Sequence, residues 1–332
     1  MIIILRTYRN ESAGRRGMAL VIAISLLALF STLGMLYVRR MNLEVAHADI
    51  LLAEARARQA ATAGVQAALA ELERALDKQQ HIHQLFSKPK RYDFPVYSGA
   101  LADGTPTREA SDRRRAYANV TIADENAKVN LNHAPASVLQ MILGVDGATA
   151  RAIAASLPRG AGFAESDEEA HRQWLLDPGD LVARGLLTPE QYEDINPAHV
   201  TTCSVPDHSN PVGFININTA PAEVMAAVLD VSVEDARKVI TRRPFRTLAA
   251  LAAAAGKDPA TFNIRPDPRE PAALPAPLAI ESHCFQIVSE AVCATVAGKQ
   301  EHDKVHARVE AIVYFPPEGG HEIVRWNARR GA

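Results

Sequence analysis

Eleven histidines, three cysteines and 38 carboxylates supply the side chains that could do chemistry in this chain. His302 and His306 stand four apart, the spacing that on a helix offers a metal two ligands. They fall instead in a stretch with strand character, so that argument does not apply, and exposed strand histidines are the plainer reading. Glu165, Asp167, Glu168 and Glu169, with Asp177 and Asp180, could give oxygen ligands to calcium, but they do not fit the twelve-residue EF-hand loop. A solvated acidic loop is the simpler expectation. No Gly-x-Ser-x-Gly, His-Glu-x-x-His or phosphate-binding loop occurs, and no Cys-x-x-Cys. Cys284 and Cys293 on one strand would sit roughly 30 Å apart at about 3.3 Å per residue, too far to pair. A turn near Ser289 would let them meet; unpaired cysteines are favoured, and the state of Cys203 is open. Nothing here points to an enzyme.

The elements that carry these residues begin with one apolar run. The chain has 332 residues, 48% apolar but only 5% aromatic, and 58 alanines fill the gap. Alanine is the best helix former. Mean hydropathy is -0.08, which excludes a multi-span membrane protein. Formal net charge is -2 and the pI about 6.6, unlike a dedicated nucleic-acid binder. Met18 to Val38 (MALVIAISLLALFSTLGMLYV) carries no charge over 21 residues. At about 1.5 Å per residue that spans roughly 30 Å, the thickness of a bilayer's hydrocarbon core. Arg6, Arg9, Arg15 and Arg16 precede it against Glu11, while Arg39 and Arg40, then Glu44, follow. This balance favours a cytoplasmic N-terminus with the remainder outside. A secretory signal peptide fits poorly, since its apolar core is shorter and ends at small residues.

The leader ends in Arg15-Arg16-Gly17, and the apolar run starts at once with Met18. This resembles the signal of type IV pilins and type II secretion pseudopilins. The resemblance implies cleavage by a prepilin peptidase between Gly17 and Met18, methylation of Met18, and retention of the apolar segment. Glycine suits a bond that a protease must hold extended. Most pilins carry glutamate at the fifth mature position, where this chain has Ile22. In the family that glutamate is thought to pair with a neighbour's terminal amine inside the apolar filament core, where an unpaired charge is costly. A subunit with no neighbour above it does not need the pair. The sequence is therefore similar to the minor pseudopilin K family, whose large members lack this glutamate.

From Met41 to Gln80 there is no proline and one glycine, Gly64, so a helix is expected from about Met18 to about Gln80. Its leucines do not hold a heptad, which favours packing on a sheet over a coiled coil. Residues 98–112 read as a surface loop and Ala116 to Ile122 as a strand. Val129 to Leu139 (VNLNHAPASVL) then recurs 86 residues later as Ile215 to Met225 (ININTAPAEVM). Each copy should lead an extended piece into a helix, with Asn132 or His133, and Asn218 or Thr219, as caps and Pro135 and Pro221 in the first turn. Gly144-Val145-Asp146-Gly147 and a following helix resemble a helix-hairpin-helix, a DNA-binding motif. Against that, the second copy has Leu229-Asp230-Val231-Ser232 in place of the glycine turn. Residues 124–270 also hold 13 basic against 20 acidic side chains, the wrong sign for phosphate.

Residues 266–277, with five prolines in twelve, read as a semi-rigid linker, and His283 to Trp326 as β-rich. The expected architecture is α+β. A leader (1–17) is followed by a long helix, its first part transmembrane (18–80). It packs on an antiparallel sheet built from 81–123 and 278–332, and a helical domain made of tandem sterile-alpha-motif or helix-hairpin-helix modules is inserted at 124–277. The resemblance implies a tip subunit of the type II secretion pseudopilus, anchored once in the inner membrane with its bulk in the periplasm. Its implied partners are minor pseudopilins I and J, the major pseudopilin and the prepilin peptidase, with no nucleic acid. The one cofactor for which the resemblance offers a precedent is a structural calcium. The alternatives are a membrane-anchored helix-hairpin-helix DNA-binding protein or a minor pilin of a related type IV pilus machine.

Overall fold

A computed structural model describes residues 8–77, 89–94, 97–100, 106–108, 114–157, 174–203, 215–258, 278–297, 300–316 and 319–330. Helix α1 (Tyr8–Asp77) has 70 residues and is therefore about 105 Å long. It begins ten residues earlier than its sequence suggested, running through residues 8–17. Residues 8–17 contain no proline, and extending an existing helix costs far less than starting one. The first half of α1 is exposed along its apolar length. From Ala57 onward one stripe is buried: Ala57, Ala60, Ala61, Val65, Ala68, Leu69 and Leu72, at helical spacing.

That stripe lies on a five-stranded antiparallel sheet in the order β1-β4-β9-β10-β11. The strands are β1 (Lys90–Phe94), β4 (Arg114–Asp124), β9 (Cys284–Ala297), β10 (Gln300–Tyr314) and β11 (Glu322–Arg330). Alternate residues face the helix: Ala118, Val120 and Ile122 on β4, Phe285, Ile287 and Ala291 on β9, and Val309, Ala311 and Val313 on β10. Several are alanines, and at Gly64 helix and sheet approach so closely that a side chain there would meet Ser289, Ala118 and Val120. The flanks of α1 grip both edges. Glu71 accepts from Lys90 Nζ at 2.5 Å and Tyr92 OH at 2.6 Å on β1, and Glu73 meets His321 Nδ1 at 2.7 Å just before β11. The segment expected as a loop contains a small hairpin of β2 (Tyr97–Ala100) and β3 (Pro106–Arg108), an alternative pairing that its Gly99 and Gly104 do not exclude.

The chain between β4 and β9 forms two modules in tandem. The first holds β5 (Val129–Asn130), α2 (Ala136–Leu143), α3 (Gly147–Ser156), α4 (Asp180–Ala183), α5 (Pro189–Glu193) and β6 (Val200–Thr201). The second holds β7 (Ile215–Asn216), α6 (Ala222–Leu229), α7 (Val233–Ile240), α8 (Leu248–Ala255) and β8 (Leu278–Ala279). Each is closed by a two-residue parallel bridge, β5 with β6 and β7 with β8. One apolar cluster runs through both, from Leu131, Leu139 and Ile153 to Ile217, Met225 and Leu251, with α2 packed on α6. The modules are thus a single packed body. The linker residues 266–277 lie outside the described residues.

Candidate functional site

The sequence singles out Gly17, Met18 and Ile22, and all three lie on α1. Met18 is 64% exposed and Ile22 53% exposed, within an apolar surface that no other part of the chain covers among the described residues. The helix is long and apolar enough to cross a membrane, and none of its most apolar window is buried in the fold. The Gly17–Met18 bond lies within α1, so any protease that requires an extended bond there would first have to unwind the helix. Glycine weakens a helix by about 1 kcal/mol relative to alanine, which lowers that cost.

The repeated Asn-x-Asn-x-Ala-Pro element does something other than capping. Pro135 and Pro221 are themselves the N-cap residues, with ψ 156° and 166° and no side-chain cap bond. Asn132 and Asn218 point elsewhere, because each is drawn to backbone far along the chain. Asn130 Oδ1 accepts from the Asn132 amide at 3.0 Å, and Asn216 Oδ1 from the Asn218 amide at 2.9 Å. The second asparagine then clamps the module. Asn132 Nδ2 donates to Leu175 and Thr202 carbonyls at 3.0 and 3.2 Å while its Oδ1 accepts from the Leu175 amide at 2.8 Å. Asn218 Nδ2 donates to Phe245 and Ile280 carbonyls at 2.9 and 3.1 Å while its Oδ1 accepts from the Phe245 amide at 2.7 Å. The two copies therefore make the same bonds to equivalent backbone.

The helical hairpins are also equivalent. Gly144 ends α2 at φ 65°, and Asp230 ends α6 in the same left-handed conformation at φ 50°, so the missing glycine does not remove the turn. Aspartate tolerates this region better than most residues. Some of the amides at the next helix start, the kind that could meet phosphate in a DNA-binding hairpin, already have side-chain acceptors. Asp146 accepts from the Ala148 and Thr149 amides at 2.8 and 2.9 Å, and these bonds hold its carboxyl below the usual range. Ser232 accepts from the Asp235 amide, with Glu234 and Asp235 in that first turn.

A site that the sequence reading missed joins the modules to the sheet. Asp124, Glu125 and Asn126 follow one another at the end of β4, all buried, and each binds a different piece. Asp124 Oδ2 accepts from Thr219 Oγ1 of the second module and from Ser282 Oγ ahead of β9, both at 2.5 Å. Glu125 takes Lys128 Nζ at 2.5 Å and the Thr201 hydroxyl of the first module. Asn126 Oδ1 accepts from the His283 and Cys284 amides at 3.0 and 2.8 Å. Consecutive polar residues closing an apolar strand are the signal that could have marked it.

Burial pushes the Asp124 carboxyl up to about 6 from 3.8, against the lowering effect of its hydrogen bonds. The folded state therefore holds this proton more tightly than the unfolded chain. Its contribution to stability is full below pH 4, is lost as the pH rises through 6, and is flat above. The difference amounts to about 3 kcal/mol at roughly 1.4 kcal/mol per pKa unit. Asp124→Asn removes the titration. Urea unfolding of the detergent-solubilised chain from pH 4 to 7.5 should show the wild type losing this amount relative to the variant; parallel pH profiles would refute it.

Glu165, Asp167, Glu168 and Glu169 lie outside the described residues. Asp177 and Asp180 are engaged in a local turn, Asp177 Oδ1 with the Gly179 amide and Asp180 Oδ2 with the Leu176 amide. No group of three or more metal-binding side chains occurs among the described residues. His302 and His306 both lie on β10. Cys284 and Cys293 share β9, nine residues apart, so they cannot pair with each other.

Residues 215–265, the second module through α8, match the family model of the type II secretion system (T2SS) protein K. Among solved structures, the chain is similar to one from the crystal structure of the GspK-GspI-GspJ complex of the enterotoxigenic Escherichia coli type 2 secretion system. The identity is 18% and the TM-score 0.49, covering 88% of this chain and 100% of that one. No curated protein sequence matches.

Proposed function

We propose that the chain is a minor pseudopilin of the type II secretion system, of the protein K kind, anchored in the inner membrane by α1 with its sheet and modules in the periplasm. The observation that carries this is the match of residues 215–265 to the protein K family model. Those residues are the second copy of a repeat, and the repeat forms a helical body set on a helix-and-sheet platform with an exposed apolar N-terminal half. The finer reading follows from the resemblance. Prepilin peptidase cuts after Gly17, Met18 is methylated, and the subunit stands at the pseudopilus tip with minor pseudopilins I and J above the major pseudopilin. Ile22 supports the tip position, since an apolar residue there needs no partner in a subunit above. The work is assembly, not catalysis. A DNA-binding role is disfavoured because the Asp146 carboxylate and the Ser232 hydroxyl already accept from amides at the starts of the second hairpin helices.

The mature protein isolated from membranes of cells with active prepilin peptidase should begin at N-methylated Met18 and co-purify with minor pseudopilins I and J. Gly17→Leu should leave the chain starting at Met1. A wild-type start at Met1 or beyond Val38 would overturn the processing, and loss of both partners would overturn the assignment.

A further inference from the structure

Cys203 follows β6 at the close of the first module, and Cys284 opens β9. Their sulfurs are 3.3 Å apart, in a thiol-to-thiol contact, although 81 residues separate them. Both are buried, packed with Ile312, and none of the chain's cysteines is in a disulfide. Backbone on each side is held by side chains. Asn130 Nδ2 donates to the Cys203 carbonyl at 2.7 Å, the Cys203 amide donates to Thr201 Oγ1 at 3.1 Å, and the Cys284 amide donates to Asn126 Oδ1 at 2.8 Å. Cys293 has the opposite strand parity and faces α1.

We propose that Cys203 and Cys284 are a disulfide-forming pair, joined when the chain folds in the presence of a thiol oxidant, which covalently staples the first module to the sheet. That the bond forms in the living cell rests on the periplasmic placement proposed above, since disulfides persist in oxidising compartments. A sulfur separation of 3.3 Å needs only about 1.3 Å of closure to reach the bond length of roughly 2.0 Å, within the reach of small side-chain rotations. The step is thiol–disulfide exchange. Two S–H bonds break, one S–S bond forms, two protons leave, and two electrons reduce the disulfide of the oxidant, an oxidised thiol–disulfide oxidoreductase in the cell or oxidised glutathione in the tube. The hydrogen bond with the Cys203 thiol, and then burial, push the Cys284 pKa well up, so the folded pair exchanges slowly and the bond is set during folding. It closes a loop that contains the whole second module, where constraint of the unfolded chain has most to limit.

The test uses the full chain in mild detergent, reduced, unfolded and refolded with oxidised glutathione. Peptide mapping without reductant should give one linked pair, Cys203 with Cys284, lighter by two hydrogens, and Cys293 alkylated. Reduction should then lower Tm by roughly 5–10 °C in the wild type and in Cys293→Ser, and not in Cys203→Ser. All three thiols alkylated, or pairs that include Cys293, would overturn the proposal. A second arm traps thiols in intact cells. The linked pair there supports both the site and the placement. Alkylated thiols there, with the bond formed in the tube, leave the site standing and overturn the periplasmic placement.

Discussion

Gly64→Leu should detach the long helix from its sheet. A side chain placed on Gly64 would meet Ser289 Oγ at a separation no real carbon adopts, and Ala118 Cβ and Val120 Cγ2 at 3.0 Å each. The strand backbone that carries these neighbours is fixed by the register of β4 with β9, where Val120 opposes Ser289, and the Ala118 Cβ has no rotamer by which to move away. Gly64→Ala gains about 1 kcal/mol of helix propensity and loses about 1–3 to overpacking, for a small net loss. Leucine gains the same propensity but must place three more carbon atoms in occupied space, and at least about 3–4 kcal/mol of destabilisation is expected. That is a large part of the roughly 5–15 kcal/mol that holds a domain together. Urea unfolding should show the midpoint dropping steeply, with protease cutting α1 after Ala53. Ser289 Oγ is buried without a hydrogen-bond partner among the described residues. Ser289→Ala should therefore recover part of the loss in Gly64→Ala, a coupling that a double-mutant cycle reads directly. A Gly64→Leu chain with the wild-type midpoint would refute the close approach.

Asn132→Ala should be the most damaging substitution in the modules, at about 3–4 kcal/mol, because it strands one amide and two carbonyls in a dry interior. Asn132 is 2% exposed. Asn218→Ala removes the same three bonds where the residue is only half-buried, so water replaces part of them and about 2 kcal/mol is expected. The order of the two losses is the test, read by denaturant unfolding. Because one apolar cluster runs through both modules, each variant should still unfold them in a single transition. Equal losses, or two separate transitions, would contradict this account.

These residues also mark how far the sequence could be read. The apolar run, the long helix, the β-rich tail and the repeat were legible because each is a local pattern of spacing or identity. The role of the repeated asparagines was not, since their partners lie 43 and 70 residues away from Asn132 and 27 and 62 from Asn218. Local reading assigned them to the nearest helix start, where proline already ends the extended segment. Asp230 hid a left-handed turn because the glycine that signals one was absent. The contact of Cys203 with Cys284 and the junction at Asp124 to Asn126 depend on which strands become neighbours, a property of topology that spacing does not encode.

The junction has a mechanical meaning. The two modules leave the sheet from β4 and return on β9, strands that lie side by side, so the chain joins body and sheet through a two-stranded neck, with Arg325 of β11 also reaching the Leu176 carbonyl. A force applied along α1 enters the sheet as shear across the alanine stripe that packs on it. A sideways push on the modules loads the neck. There the hydrogen bonds of Asp124, Glu125 and Asn126 resist bending in three directions, one toward each module and one toward the returning strand.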